Sequence, residues 1–282
     1  MEAGFLLVVH GPPRPGARGM SRTILITGAG TGIGRDAAFA LARRGHRVIA
    51  TTQSEEQAQM LRMQAGERGV ALQVFKLDIT SADDRAQVVA LEIDVLVNNA
   101  GIGDSGSLAE VDVDRIRKVF EVNLFSTLEL TQTVLAGMIA RRRGTVLFVS
   151  SVAGRVPVPF LMPYSMSKFA LSAAGAGLRA ELQALRCNVH VALIEPGAIH
   201  TGFNQQMTQS KYEWMTRQSY FSAQIERMKV QETRTFRLLE AAGTGSVVAQ
   251  IVKASEASRP KLRYVAPWLQ GLAVRVARIF GV

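Results

Sequence analysis

The chain has 282 residues, 48% of them apolar, and a formal charge of +10 with a pI near 10.3. That apolar fraction can bury a large core and excludes a disordered chain. The single cysteine, Cys187, excludes an intrachain disulfide and fits a reducing, cytoplasmic compartment. No run of about 18 uncharged apolar residues exists, which argues against a spanning helix.

The positive charge is scattered apart from Arg141-Arg142-Arg143 and the C-terminal stretch. The triplet reads as a solvated helix end, where cations suit the helix dipole, in preference to a phosphate-binding patch. No recognition motif accompanies the charge, so no nucleic-acid partner is expected. In residues 1–20, a short apolar run at 5–9 has no basic residue before it and a Gly/Pro-rich stretch after it, which is not the pattern of a secretory signal. The segment reads as a flexible tail, with an extra strand as the alternative. Met20 stands where translation could begin.

From residue 21 strands and helices alternate. A β-branched run at 23–27 leads through glycines into a helical stretch at 35–44. A strand is expected at 47–51, a helix at 55–68, a strand at 72–77, another at 94–98, and a long helical region at 112–141. A buried strand at 145–149, a helix at 163–185, a strand at 189–194 and a last strand at 262–265 complete the series. Short apolar strands, each followed by a helix, predict an α/β fold with a doubly wound parallel sheet and helices on both faces. No linker divides residues 21–266, which are expected to form one domain, and 267–282 reads as a C-terminal amphipathic extension.

Thr27-Gly28-Ala29-Gly30-Thr31-Gly32-Ile33-Gly34 sits at the junction of the first strand and first helix. A dinucleotide pyrophosphate needs backbone N–H groups, a helix N-terminus and no Cβ in the way. Gly28 can make the turn, Gly32 admits the phosphate, and Gly34 lets the helix pack close to the strand. The second strand ends in Thr51-Thr52-Gln53, with neither the acid that holds ribose hydroxyls in NAD sites nor an arginine for the 2′-phosphate of NADP. The missing acid removes repulsion of a phosphate, and the hydroxyls of Thr51, Thr52 and Ser54 could donate to one. The reading leans to NADP over NAD. Asp78, followed by Ile79 at the end of the third strand, could meet the adenine or cap the helix that begins near Ser81.

Tyr164 and Lys168 lie four apart on an expected helix and project from one face. A tyrosine titrates near 10, too high for easy acid/base work, and a nearby ammonium lowers that value. This helix comes after the fifth strand, whose end carries Ser150-Ser151, where a hydroxyl could polarise a substrate oxygen. The four histidines show no metal-ligand spacing with Cys187, so no metal is expected, and no Gly-x-Ser-x-Gly elbow appears.

The glycine loop, Asn98-Asn99-Ala100-Gly101, Asn123, Ser151, Tyr164 with Lys168, and Pro196-Gly197 occur in the order and spacing of the short-chain dehydrogenase/reductase family, which residues 21–201 resemble. The resemblance implies a Rossmann-type fold of about seven strands and an oxidoreductase that moves a hydride between NAD(P)(H) and a carbonyl or alcohol group. It implies Tyr164 as the proton donor or acceptor, with Lys168 on the nicotinamide ribose and lowering the tyrosine pKa. Ser151 would orient the carbonyl, and Asn123 would hold a relay water from an irregularity in the long helix. Gly28, Gly30, Thr31, Gly32, Ile33, Gly34, Thr52, Gln53, Asp78, Ile79, Asn99, Ala100, Gly101, Pro196, Gly197, Ile199 and Thr201 would line the cofactor. Residues 112–141 and 163–185 would form subunit contacts, giving a homodimer or homotetramer. A catalytically silent nucleotide-binding regulator on the same fold is the alternative.

Ligands of open parallel sheets bind beyond the carboxyl ends of the strands. The segments there, 154–163 and 200–228, are rich in apolar side chains. With no basic cluster to demand a carboxylate, a lipophilic substrate is expected, touched by Ser151, Phe160 and Tyr164. The alternative is that these apolar groups pack a lid onto the core. Trp268, Leu272, Val276 and Ile279 recur at helical spacing beside Arg275 and Arg278. Such a helix covers a partner subunit or a site, in preference to a peripheral membrane contact.

Overall fold

The strand β1 (Thr23–Ile26) is an inner strand of a seven-stranded, all-parallel sheet. The structure, a computed structural model, describes residues 21–280; the tail expected at 1–20 falls outside them. The other strands are β2 (Arg47–Thr52), β3 (Gln73–Lys76), β4 (Val95–Asn98), β5 (Arg143–Val149), β6 (Asn188–Pro196) and β7 (Arg263–Ala266), in the order β3-β2-β1-β4-β5-β6-β7. Successive side chains on a strand point to opposite faces. Ile24 and Ile26 therefore join Val95 and Val97 on one side, against α1 (Gly32–Arg43) and α9 (Gly245–Glu256). Leu25 joins Ile49, Leu96 and Phe148 on the other, against α5 (Thr127–Ala140) and α6 (Met162–Ala184). A strand buried on both faces must be apolar throughout, which is why these runs do not alternate.

The strand order reverses between β1 and β4, and the loops leaving their carboxyl ends diverge there into a cleft. Several helices start from side-chain caps. Ser54 accepts from the Gln57 N–H at the start of α2 (Glu55–Glu67), and Ser81 does the same for Asp84 at α3 (Ala82–Ala86). The expected long helix at 112–141 is interrupted. After α4 (Val113–Phe120) a π-helical turn, Glu121–Ser126, precedes α5.

Beyond β6 the chain forms α7 (Phe203–Trp214) and α8 (Ile225–Leu239), a pair standing over the cleft and not assigned as helices from sequence. Buried Lys211 on α7 pairs with Glu232 on α8 at 2.5 Å, and the Tyr212 hydroxyl donates to the same carboxylate. On its other side α7 is tied to the loop after β4, where the Ser210 and Ser105 hydroxyls donate to Asp104 and the Met207 carbonyl. Finally α10 (Trp268–Ile279) comes after β7 and carries Leu269, Leu272 and Val276 exposed. Among the described residues no helix is long and apolar enough to cross a membrane.

The arginine triplet joins elements at the end of α5. Arg141 donates to the Ile93 carbonyl and Arg142 to that of Arg186, while Arg143 opens β5.

Candidate active site

The cleft at the strand ends has a volume of about 670 Å³. Of the residues expected there, Gly28, Gly30, Thr31, Gly32, Ile33, Gln53, Asp78, Ile79, Asn99, Ala100, Gly101, Ser151, Tyr164, Lys168, Pro196, Gly197, Ile199 and Thr201 line it. Gly34, Thr52, Asn123 and Phe160 do not.

The glycine loop is built from β1 upward. The Thr27 hydroxyl accepts from the Asn99 and Ala100 N–H groups, and the Asn99 amide donates to the Thr27 and Gly28 carbonyls at 3.0 Å, stapling this loop to the one after β4. Gly28 has φ +63°, and a Cβ there would stand 2.7 Å from the Ala100 Cα. Only glycine meets both demands. Gly34 lies behind the cleft, where a Cβ would stand 2.6 Å from the Gly28 carbonyl oxygen, so its role is the close helix–strand approach. Thr31, at the N-cap of α1, makes no side-chain bond to the first turn, and that turn carries no acid. The N–H groups of α1 therefore face the cleft without a side-chain partner, which is what a pyrophosphate requires.

At the end of β2 the expectation of three free hydroxyls is corrected. Thr51 donates to the Ile26 carbonyl, Thr52 is buried and donates to the Ser54 carbonyl, and Ser54 caps α2. Gln53 is the residue turned into the cleft, its amide 3.4 Å from an Asp78 oxygen. Asp78 does not cap the helix near Ser81, because Ser81 does so itself. Burial pushes the Asp78 carboxyl up, but bonds from the Thr80 N–H and hydroxyl and from Gln53, with Lys76 nearby, outweigh it and hold the group below its ordinary value.

At the other end, Ser151, Tyr164 and Lys168 are all buried and border the same space. Ser151 accepts from the Ala153 N–H, leaving its hydroxyl proton toward the Pro196 carbonyl at 3.4 Å. Ser150 points away, to the Ser172 hydroxyl at 2.7 Å and the Lys168 carbonyl. The Lys168 ammonium donates to the Val149 carbonyl at 2.9 Å and lies 5.6 Å from the centre of the Tyr164 ring. The expected lowering of the tyrosine pKa by this lysine is corrected. Burial pushes the phenol up to about 12, with only the Ser151 hydroxyl drawing it back, and the same burial lowers Lys168 to about 8.

Asn123 occupies the π-helical turn, the irregularity expected in the long helix. Its amide exchanges bonds with the N–H and carbonyl of Ile102, at 2.8 and 2.9 Å, and donates to Ser167. It thus fixes the strand-end loop that carries Gly101. Phe160 has φ +59°, which turns its ring against Phe221, edge to face at 5.1 Å, and off the cleft wall. Val158, Leu161, Phe203 and Met207 form that wall instead.

Among the lining residues that escaped sequence reasoning are Gln57, Phe236, Leu239 and Gln270. A signal existed for Gln57, which stands three residues after the Ser54 cap and accepts from the Gln53 N–H in a near capping box. Phe236 and Leu239 sit on α8, whose place over the cleft no local pattern reveals, whereas Gln270 sits on α10, a helix expected to cover a subunit or a site.

The short chain dehydrogenase family model matches residues 22–212. Human retinol dehydrogenase 8 is 37% identical over 193 residues, which are 66% of this chain and 61% of that protein. The chain thus spans about three fifths of that relative's length. An uncharacterized oxidoreductase of Escherichia coli K12, YbbO, is 31% identical over 250 residues, 87% of this chain and 85% of its own. Among solved structures, an actinorhodin polyketide ketoreductase variant crystallised with NADPH superposes with a TM-score of 0.71 at 26% identity, covering 87% of this chain and 95% of the other. With the family model matched over residues 22–212, well over half of its length, this chain belongs to the short-chain dehydrogenase family.

Proposed function

We propose that the chain is an NAD(P)-dependent oxidoreductase acting on a carbonyl or alcohol group of a lipophilic small molecule. One observation carries this reading: buried Ser151, Tyr164 and Lys168 share a cleft with the N-terminus of α1 and its glycine loop. The acid/base group and a dinucleotide cradle thus face one space. The retinol substrate named for the human relative and the NADPH held by the ketoreductase support the same reading. The domain is taken as residues 21–266, with 267–282 as an extension and the cytoplasm as its place, the last on the single cysteine.

A nicotinamide cofactor, when bound, supplies or takes the hydride. The loop at Gly28, Gly30, Thr31, Gly32 and Ile33 would hold its pyrophosphate, with Gly34 seating α1 behind them. Asp78 and Ile79 would flank the adenine. Asn99, Ala100 and Gly101 would support the middle, and Lys168 the nicotinamide ribose. Pro196, Gly197, Ile199 and Thr201 would face the nicotinamide. Tyr164 carries the proton. Burial keeps its phenol protonated far above neutral pH, the state from which it protonates an alkoxide as that forms. The Ser151 hydroxyl orients the substrate oxygen toward it, and Asn123 keeps the Ile102 backbone, and so the cleft floor, in place. Val158, Leu161, Phe203 and Met207 exclude water and suit an apolar substrate.

NADP(H) is the preferred form in this proposal, because no acid stands at position 52 and the amide of Gln53 can donate to a 2′-phosphate. We also propose a homo-oligomer, on the exposed apolar face of α10. The test is a panel of ketones and alcohols followed by nicotinamide absorbance with both cofactors. Turnover by the wild type and its loss in Tyr164→Phe, with cofactor binding retained, is the expected result. A wild type that binds cofactor and turns over nothing favours the silent regulator.

A further inference from the structure

We propose that Gln270 is a positioning residue, a latch through which the C-terminal helix holds both the loop after β6 and the end of α8 around the cleft. The proposal rests on the reading of the cleft as a dinucleotide site. Its oxygen accepts from the Ala198 N–H at 2.7 Å, and its amide nitrogen donates to the Leu239 carbonyl at 2.7 Å. A second contact from that nitrogen to the Ala198 carbonyl spans 3.5 Å. One side chain thus joins two segments that also meet through the backbone bonds of Ala241 with Ala198 and His200 and through the Glu240 carboxylate, which His200, Asn204 and Gln205 contact.

The geometry around the latch is specific. Gly271, the next residue, lets α10 press onto β7, since a Cβ there would stand 2.7 Å from the Val265 Cγ1. That approach delivers Gln270 into the cleft wall. Opposite it, a Cβ on Gly197 would overlap the Gln270 oxygen and stand 2.7 Å from its carboxamide carbon. The glycine before Ala198 is therefore required by Gln270 itself. Leu239, held at the end of α8, lines the cleft beside Phe236. Releasing the latch takes one tie from the α8 end at Leu239 and one from the Ala198 peptide, and these bound the site from two sides. A primary amide performs this task because it carries an acceptor and donors on one planar group, whereas a carboxylate offers acceptors alone.

The test uses the purified full chain. NADPH and NADH binding is followed by fluorescence without substrate, and trypsin cleavage of α8, which carries Arg227, Lys229, Arg234 and Arg237, is followed without cofactor. In Gln270→Ala, α8 is expected to be cut faster and the Kd of the reduced cofactor to rise about tenfold, the scale of losing two neutral hydrogen bonds. Gln270→Glu retains the acceptor for Ala198 but not the donor for Leu239. It is expected to open α8 to trypsin as Gln270→Ala does, and to raise the cofactor Kd at least as much, since its carboxylate faces the Leu239 carbonyl and adds negative charge to the cleft wall. Gly197→Ala is expected to weaken binding in the wild type and add little in the Gln270→Ala background, since the overlap is then relieved. Wild-type proteolysis and affinity in Gln270→Ala would overturn the latch, as would an equal Gly197→Ala loss in both backgrounds, or a Gln270→Glu variant that resists trypsin like the wild type. Should the wild type bind neither cofactor, the dinucleotide reading fails, and the proteolysis arm alone still decides the latch.

Discussion

Lys168 directs its ammonium at the Val149 carbonyl, 2.9 Å away, and not at the phenol of Tyr164. Held in this buried place, the lysine titrates near 8 instead of its ordinary 10.5. The unfolded chain therefore binds more protons than the folded one between those values, and stability rises with pH across that window. The full difference amounts to about 3 kcal/mol. Relative to Lys168→Met, the wild type should gain most of this between pH 8 and 10 in urea unfolding. Above pH 10 the trend reverses through Tyr164, whose phenol keeps its proton in the fold to about 12 while the unfolded chain loses it. A wild type and variant whose stabilities run parallel from pH 7 to 10 would show that Lys168 is not so buried in solution.

Tyr164→Phe should lower kcat by at least about a hundredfold, the scale of one general acid, with cofactor Kd within about twofold of wild type. The phenol carries the proton, whereas the dinucleotide rests on the glycine loop. Steady-state rates and fluorescence titration measure both. Near-normal kcat would remove Tyr164 from its assigned role.

Much of this site was legible because its residues lie directly at strand ends. A parallel sheet announces its strands as short apolar runs, and the residues just past each run, Thr27–Gly34 after β1 or Ser151 after β5, must stand at the cleft. The errors come from turn geometry and burial, which residue type and spacing do not carry. Thr52 and Ser54 carried free hydroxyls in the sequence, but the tight turn into α2 consumes both. Phe160 reads as a wall residue until its left-handed backbone is known. Burial also outweighs the Tyr164/Lys168 spacing in setting the titration of both groups, and spacing alone carries no measure of burial. Helices α7 and α8 lack buried apolar stripes of their own: α8 has no buried residue, and α7 buries Met207 and Lys211. The apolar face of α8 turns to the cleft and solvent and not to the core, so its period pointed to no packing partner.

Cofactor choice should turn on Gln53 and not on Thr52, which is buried. Gln53→Asp is expected to shift the ratio of kcat/KM toward NAD(H) by about tenfold, since a carboxylate repels a 2′-phosphate and accepts from ribose hydroxyls. The comparison needs both cofactors with one substrate. An unchanged ratio would place the adenosine ribose away from Gln53.

Gly34→Ala should cost about 1–3 kcal/mol, the scale of overpacking, and weaken cofactor binding at the same time. The added methyl meets the Gly28 carbonyl and the Asn99 amide that staple the two loops. Urea unfolding and fluorescence titration report the two effects. A variant with normal stability would mean that α1 sits farther from β1 than 2.6 Å implies.

The apolar face of α10 should close a subunit contact. Trp268 is 70% exposed, Ile279 and Phe280 are each 78% exposed, and Leu269, Leu272 and Val276 continue the face. Exposed apolar patches of this kind mark interaction sites on soluble proteins. The helix is held onto the domain from its other side by buried Gly271 and Val274, so the face is presented rigidly and the entropic cost of ordering it is already met. Burial contributes at roughly 25 cal/mol per Å², enough for a few kcal/mol across six such side chains. Arg275 and Arg278 on the same helix would also suit an anionic lipid surface, which makes that the competing outcome. Light scattering of the full chain should give a dimer or tetramer, and Leu269→Glu with Leu272→Glu should shift it to a smaller species while leaving the fold intact. A full-length monomer that floats with vesicles of anionic lipid would defeat the oligomer and assign the face to the membrane.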